Sequence, residues 1–143
     1  MGEFKDNFRH KSLSFFLSFT IIIFNFNFLQ ADEHLEKIEN LKSKNYSINV
    51  HYPSNPKVGY LDLEIEFSTI PEDIKLLLIA SLNEDKFQTY ALSSTEEPKV
   101  YKCVFDLEKS GLWNFDVSIS SSSGQEENIN FQINLLERNR ETN

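Results

Sequence analysis

From residue 45 onward, apolar and polar residues alternate with a period of two, which is typical of β-strands that bury one face. The clearest segment is YLDLEIEF, which places four apolar side chains on one face and three acidic side chains on the other: Leu61, Leu63, Ile65 and Phe67 against Asp62, Glu64 and Glu66. Five further segments alternate in the same way, namely YSINVHY, KFQTYAL, KVYKCVF, LWNFDVSIS and NINFQINL.

A seventh segment, IKLLLIASL at residues 74–82, is almost continuously apolar. Its position between turn signals favours a strand covered on both faces, and a helical segment is the alternative. Turn-forming residues separate the segments, as in PSNPKVG, DLEKSG and SSSGQEE. The pattern predicts an all-β domain over residues 45–136, an immunoglobulin-like antiparallel β-sandwich of about seven strands, followed by a polar tail at residues 137–143.

The segment SGLWNFDVSIS carries the single tryptophan of the chain. Because Trp113 is in phase with Phe115 and the apolar residues after it, we interpret it as a core residue rather than an exposed aromatic anchor. Gly111 is interpreted as the turn that admits this strand, and Gly59 as the turn ahead of YLDLEIEF. The inward faces of two other strands are expected to add further core aromatics, Tyr101 and Phe131.

Residues 1–31 have the organisation of a signal peptide. A short basic region at residues 9–11 precedes an apolar run at residues 13–24, and Ala31 offers a cleavage position. The alternative is an uncleaved membrane anchor, for which 17 residues from Leu13 to Leu29 are just long enough. Both interpretations predict export, and contact with a membrane is expected only through this segment if it is uncleaved.

Residues 32–44, DEHLEKIENLKSK, are expected to form a short helical spacer. Leu35, Ile38 and Leu41 recur at a spacing of three with charged residues between them, which favours a helix with a narrow apolar stripe. We interpret the helix as a stalk that leads the chain away from a membrane. A docking helix for a partner is the alternative.

The charge and the reactive residues exclude several classes of function. The 143-residue chain has a formal net charge of −8, which disfavours nucleic acid as a partner because a phosphate backbone is repelled. The single cysteine, Cys103, excludes an internal disulfide, so the bacterial periplasm or another extracytoplasmic compartment fits better than a small eukaryotic secreted domain.

The candidate chemistry is equally sparse. Cys103 is expected to point into the core, and His51 to point outward from an edge strand with no second metal ligand near it in sequence. The acidic rows lack a calcium-loop pattern and are interpreted as a solvated face that protects strand edges. We therefore predict no enzymatic activity, no metal and no cofactor.

The segments PSNPKVGYLDLEIEF and VYKCVFDLEKSGLWNFDVSIS resemble the FixH/YtkA-like group of extracytoplasmic β-sandwich domains. Pro56 and Gly59 stand at the turn that precedes an alternating strand in that group. Tyr101, Gly111 and Trp113 stand at an aromatic strand and the G-x-W turn after it. The resemblance covers residues 45–136 and implies an exported or membrane-anchored β-sandwich, with copper handling or cytochrome oxidase assembly as roles of some members.

Two functional hypotheses follow from these observations. The first is an exported, non-catalytic domain that binds an envelope or membrane protein through its acidic face and its edge strands. The alternative, implied by the resemblance, is an accessory protein for copper handling or cytochrome oxidase assembly. The sequence lacks the methionines and paired histidines that a copper site of that kind would use.

Overall fold

The computed structural model describes residues 34–139, so the expected signal or anchor segment at residues 1–31 lies outside the described part. The described residues form eight β-strands, all paired antiparallel: β1 (Leu35–Lys42), β2 (Ser47–Pro53), β3 (Gly59–Phe67), β4 (Ile74–Leu82), β5 (Asp85–Ser93), β6 (Val100–Leu107), β7 (Gly111–Ser121) and β8 (Glu126–Leu135). The prediction of an all-β, antiparallel domain is confirmed. Within residues 34–139, no helix is long and apolar enough to cross a membrane.

The strand order is β1-β2-β3-β6-β5-β4-β7-β8, so pairing joins strands that are distant in sequence. We call β1-β2-β3-β6 the first half of the sheet and β5-β4-β7-β8 the second half. Strand β5 pairs with β4 from Asp85 to Ala91 but with β6 only at Leu92 and Ser93. The two halves are therefore joined through a short stretch of hydrogen-bonded backbone.

The outer strands β1 and β8 are tied together by side-chain hydrogen bonds. The backbone N–H and the side-chain Nδ2 of Asn45, in the turn after β1, donate to the two carboxylate oxygens of Glu127 on β8, at 2.8 and 2.9 Å. At the opposite end of β8, Leu136 forms an isolated bridge with Lys57. These contacts make the sheet nearly closed.

The expectation of a helical spacer at residues 32–44 is wrong over Leu35–Lys42, which form an eighth strand. A bulge explains the misleading spacing, because the register shifts between Ile38 and Leu41, and Asn40 takes a positive φ of 57°. Because of the shift, Ile38 and Leu41 both pack on the core although they are three positions apart in sequence. That spacing otherwise indicates a helix. Since β1 covers β2, the prediction that His51 lies on an edge strand is also wrong.

The core fills the space between the two halves of the sheet. Phe105 of β6 and Phe115 of β7 pack edge to face with ring centroids 5.7 Å apart, although β6 and β7 are not hydrogen-bonded neighbours. Phe115 also stacks on its cross-strand partner Phe131, at 5.1 Å and an interplanar angle of 6°. Trp113 is 1% exposed, and Tyr101 is buried at the other end of the core.

Two sequence interpretations of individual elements can be compared with these positions. The apolar run of β4 buries one face through Leu76, Leu78 and Ala80, and leaves the opposite face half-buried, so it is not fully covered on both sides. Gly59 and Gly111 are the first residues of β3 and β7, with φ angles of 116° and 131°. Those angles favour glycine, which enters a strand from a turn without steric cost.

Replacing Trp113 tests its role in the core. The indole Nε1–H donates to the carbonyl of Lys109 at 2.9 Å, so the side chain supplies both buried area and a hydrogen bond. We expect Trp113→Ala to lower the free energy of unfolding by about 3–5 kcal/mol, and Trp113→Phe by roughly 1–2 kcal/mol. Urea unfolding measures both changes. The exposed neighbour provides the control, because Leu112→Ala should change stability by less than about 0.5 kcal/mol.

Candidate protein-interaction surface

The single thiol lies in the core rather than at a reactive surface. Cys103 is 7% exposed, and burial, followed by the nearby Asp62 carboxylate, raises the pKa of the thiol to about 12. A thiol with that pKa is almost entirely protonated at neutral pH and is a poor nucleophile and metal ligand. The position therefore behaves as a small apolar filler between the aromatic residues of β6.

His51 faces outward from β2 and is engaged by a neighbouring carboxylate. Its Nε2 lies 2.9 Å from the Oε2 of Glu66 on β3. The hydrogen bond from His51 lowers the pKa of Glu66 below its usual value. The contact links the paired strands β2 and β3. It also engages the Nε2 atom of His51.

A lysine on β6 binds Glu64 of this face together with Glu97 from the loop before β6. Lys102 Nζ lies 3.3 Å from carboxylate oxygens of both Glu97 and Glu64, and these hydrogen bonds raise the pKa of the ammonium group. Within the part of the chain that the structure describes, no three His, Cys, Asp or Glu side chains are grouped so that they could hold a metal ion. Two of the three carboxylates of this face, those of Glu64 and Glu66, thus form partly exposed ion pairs.

The exposed apolar residues have a more specific arrangement. Nine large apolar side chains are exposed among the described residues, and five of them line two clefts on either side of the short β5–β6 junction: Ile70, Phe87, Tyr90, Leu92 and Val104. We call these the upper and lower clefts, after the ends of β5 at Ser93 and Asp85 respectively. Sequence periodicity does not reveal the two clefts. Alternation alone does not show which apolar residues become exposed where β5 and β6 cease to pair.

The upper cleft has a volume of about 710 Å³. Ile70, Tyr90 and Leu92 form its exposed apolar rim, while Tyr101 lies at its base beside Phe67, 5.4 Å between ring centroids. The flanking loops are stiffened by two prolines, Pro71 and Pro98. The opening is bordered by two acidic residues, Glu72 and Asp73. The cleft offers apolar contact area beside these two carboxylates and the ammonium group of Lys75.

The lower cleft, of about 560 Å³, lies where β5 and β6 diverge. Phe87 and Val104 form its sides, and Trp113 lies beneath Phe87 with ring centroids 6.1 Å apart. An ion pair spans its lower end, because Lys109 Nζ lies 2.6 Å from Asp85 Oδ2. The cleft is therefore bounded by the β5–β6 hydrogen bonds above and by this ion pair below.

The core tryptophan also contributes to the geometry of the lower cleft. Its hydrogen bond to the Lys109 carbonyl holds the loop after β6 against the core, and that loop carries the lysine of the bounding ion pair. The structure thus places Trp113, Phe115, Tyr101 and Phe131 inside, with Tyr101 lining the upper cleft and Trp113 lining the lower cleft. The glycines Gly59 and Gly111 lie at the lower ends of their strands and do not line either cleft.

Comparison with known proteins supports the fold and leaves the function open. No protein-family model and no curated protein sequence matches the chain. Among solved structures, the fold is similar to that of the PmoD soluble domain from Methylocystis sp. ATCC 49242 (Rockwell), with a TM-score of 0.51. The similarity covers 68% of this chain and 98% of that chain, at 13% sequence identity. Because the identity is so low, the likeness concerns the fold alone.

The raised pKa of Cys103 predicts slow chemical modification. At about pH 8, a thiol with a pKa of about 12 is ionised in roughly one molecule in ten thousand. We expect iodoacetamide to label the native chain at least about a hundredfold more slowly than the chain unfolded in urea, since the thiolate is the nucleophile. Mass spectrometry of timed samples gives both rates. Equal rates would contradict the burial of this residue.

The lowered pKa of Glu66 predicts a pH dependence of stability. The carboxylate form is favoured in the folded chain, so its stabilisation is fully present above the usual pKa of 4.5 and is lost as pH falls through the lower folded value. We expect Glu66→Gln to unfold at a lower urea concentration near pH 7 and to lose less stability on acidification. Glu39→Gln, at an exposed ion pair on β1, is the matched control and should follow the unmodified chain.

Proposed function

We propose that this protein is an exported, non-catalytic interaction module of the cell envelope, and that a partner protein binds the two clefts beside β5. The domain is interpreted as an immunoglobulin-like β-sandwich. The pairing of β3 with β6, and of β4 with β7 and β8, supports this interpretation because it corresponds to the B–E and C–F–G pairings of that fold. The FixH/YtkA-like resemblance of the sequence is consistent with the same proposal.

The clustering of exposed apolar side chains carries the proposal. Among residues 34–139, five of the nine exposed large apolar residues border the two clefts. Exposed apolar side chains that cluster in this way, bordered by polar groups, favour a protein-binding site. Because the clefts are open and are bordered by carboxylates, a partner with apolar side chains and basic or neutral flanks fits them best.

The compartment is part of the proposal. We place the domain in the bacterial periplasm or another extracytoplasmic compartment, because residues 1–31 read as a signal peptide or anchor. The structurally similar chain is the soluble domain of PmoD, and this likeness of fold is consistent with a β-domain that is separate from such a segment. With an uncleaved segment, the chain would present its domain next to the membrane.

The alternative function, copper handling or cytochrome oxidase assembly, requires residues that can bind copper. It needs soft or imidazole ligands that converge, whereas Cys103 is buried with a raised pKa and His51 is bonded to Glu66. Stoichiometric Cu(I) binding by the purified full chain would favour this alternative over the interaction module.

Site-specific crosslinking in the native envelope tests the proposed surface. We expect a photoreactive phenylalanine analogue at Tyr90 to capture a protein partner, and the same analogue at Tyr60 to capture none. Both tyrosines are exposed, at 60% and 78%, but Tyr60 lies outside both clefts. Equal capture at the two positions would reject the cleft as the binding surface.

A charge substitution provides the quantitative arm of that test. Leu92→Lys should reduce recovery of the captured partner by at least about tenfold, because an apolar contact worth about 1.4 kcal/mol or more is replaced by a charge. Leu112→Lys is the matched control, since Leu112 is also an exposed strand leucine and lies outside the clefts.

A further inference from the structure

We infer that the lower cleft accepts an extended segment of the partner protein as an added β-strand on β6. This inference rests on the proposed function and specifies how binding occurs. It depends on which backbone groups point into the cleft, on the side chains that line it, and on the charges at its lower end.

The register of β3 with β6 determines where the backbone groups of β6 point. The N–H of Phe67 donates to the carbonyl of Lys99 at 2.8 Å, and these two residues continue the β3–β6 register. In an antiparallel ladder, hydrogen-bonded pairs alternate with non-bonded pairs. Odd-numbered residues of β6 therefore bond β3, and the even-numbered residues direct N–H and C=O toward β5: Lys102, Val104 and Asp106.

Strand β5 uses only the first of these three positions. Leu92 pairs with Lys102, and within residues 34–139 no strand lies opposite Val104 or Asp106 on that edge. Across the cleft, the two-residue turn after β4 makes Leu82 and Asp85 the closing pair, so odd-numbered residues of β5 bond β4. The groups of Lys86, Gln88 and Tyr90 then face the same cleft from the other side.

The cleft therefore has unpaired strand edges on both sides, a feature that proteins normally protect or use for strand addition. From Lys102 to Leu107, β6 extends about 16 Å at 3.3 Å per residue. The ion pair of Lys109 with Asp85 closes the lower end. The length of this edge, from the β5–β6 junction to the ion pair, corresponds to an added segment of about four residues.

The lining indicates the side chains of the added strand. Successive residues of a strand point to opposite faces, so alternate residues of the guest would contact Phe87 above Trp113, or Val104 at the outer side. Small aliphatic residues suit the first position and small polar residues suit the second, which is close to solvent. The segment is therefore an alternating aliphatic and polar strand.

The charges indicate its end. Asp85, Asp106 and Glu108 border the lower part of the cleft, and Lys109 is already paired with Asp85. Among the described residues, Asp106 and Glu108 form no ion pair. Electrostatic complementarity favours a lysine or arginine in the guest at this end.

Hydrogen exchange of the full-length, isotope-labelled chain tests the inference. The probes are two blocked hexapeptides, KVTVTV and VTVTVK, which cover both strand directions. In the free chain, the amides of Val104 and Asp106 should exchange rapidly. As the peptide is titrated to saturation, one of the two peptides should slow both amides by at least about tenfold. Cys103, whose amide bonds β3, should not change and is the internal control.

Altered peptides and variants separate backbone pairing from side-chain contact. N-methylation of the valines or of the threonines should abolish the protection in at least one of the two sets, because it removes the bonding N–H. Asp106→Lys should weaken the lysine peptide and favour the corresponding glutamate peptide, whereas Glu39→Lys, outside both clefts, should leave binding unchanged.

Several results would overturn the inference. These are strong protection of Val104 and Asp106 in the free chain, absence of protection with either peptide, and full protection by both N-methylated sets. Protection that rises with protein concentration alone would identify a second copy of the chain as the occupant. None of these results affects crosslinking at Tyr90, so failure of strand addition and failure of the proposed function are distinguishable.

Discussion

Strand β5 belongs to both halves of the sheet, and the rest of the structure depends on how its two edges are bonded. One edge is bonded to β4 along most of its length, while the other meets β6 only at Leu92 and Ser93. The two halves diverge below that junction because aromatic side chains fill the space between them, including Phe105 and Phe115. The same divergence opens the lower cleft, where part of the β6 edge has no strand partner among residues 34–139.

The aromatic core and the exposed clefts are physically continuous. Trp113 is buried, yet its ring packs against Phe87 at the side of the lower cleft and its N–H holds the Lys109 carbonyl. Tyr101 has a comparable position at the base of the upper cleft. The residues that stabilise the fold therefore also set the shape of the candidate binding surface, and their replacement changes stability and binding together. Replacement of an exposed rim residue such as Leu92 should change binding without a comparable change in stability.

The acidic composition has two roles in this arrangement. Along the outer face of β3 and β6, carboxylates form ion pairs with Lys102 and a hydrogen bond with His51, which hold neighbouring strands in register. Around the lower cleft, Asp106 and Glu108 border the exposed edge of β6, and the lysine that lines this cleft, Lys109, is paired with Asp85. Like charges discourage pairing between copies of the chain, and the same charges favour a basic partner segment. Negative charge thus lies beside the exposed edge of β6, where it can both prevent self-association and select a partner.

Period-two alternation by itself determined six strands and the burial of residues such as Trp113 and Cys103, because burial of one strand face is a local property of the sequence. The seventh strand, at residues 74–82, was inferred from its position between turn signals. The eighth strand was misread as a helix, since the bulge at Asn40 gives strand residues a helical spacing. The candidate site could not be predicted. Its position depends on where β5 leaves β6, and that depends on side chains from β4, β6 and β7 that meet only when distant segments pack. Tertiary structure therefore decided the strand order and the clefts.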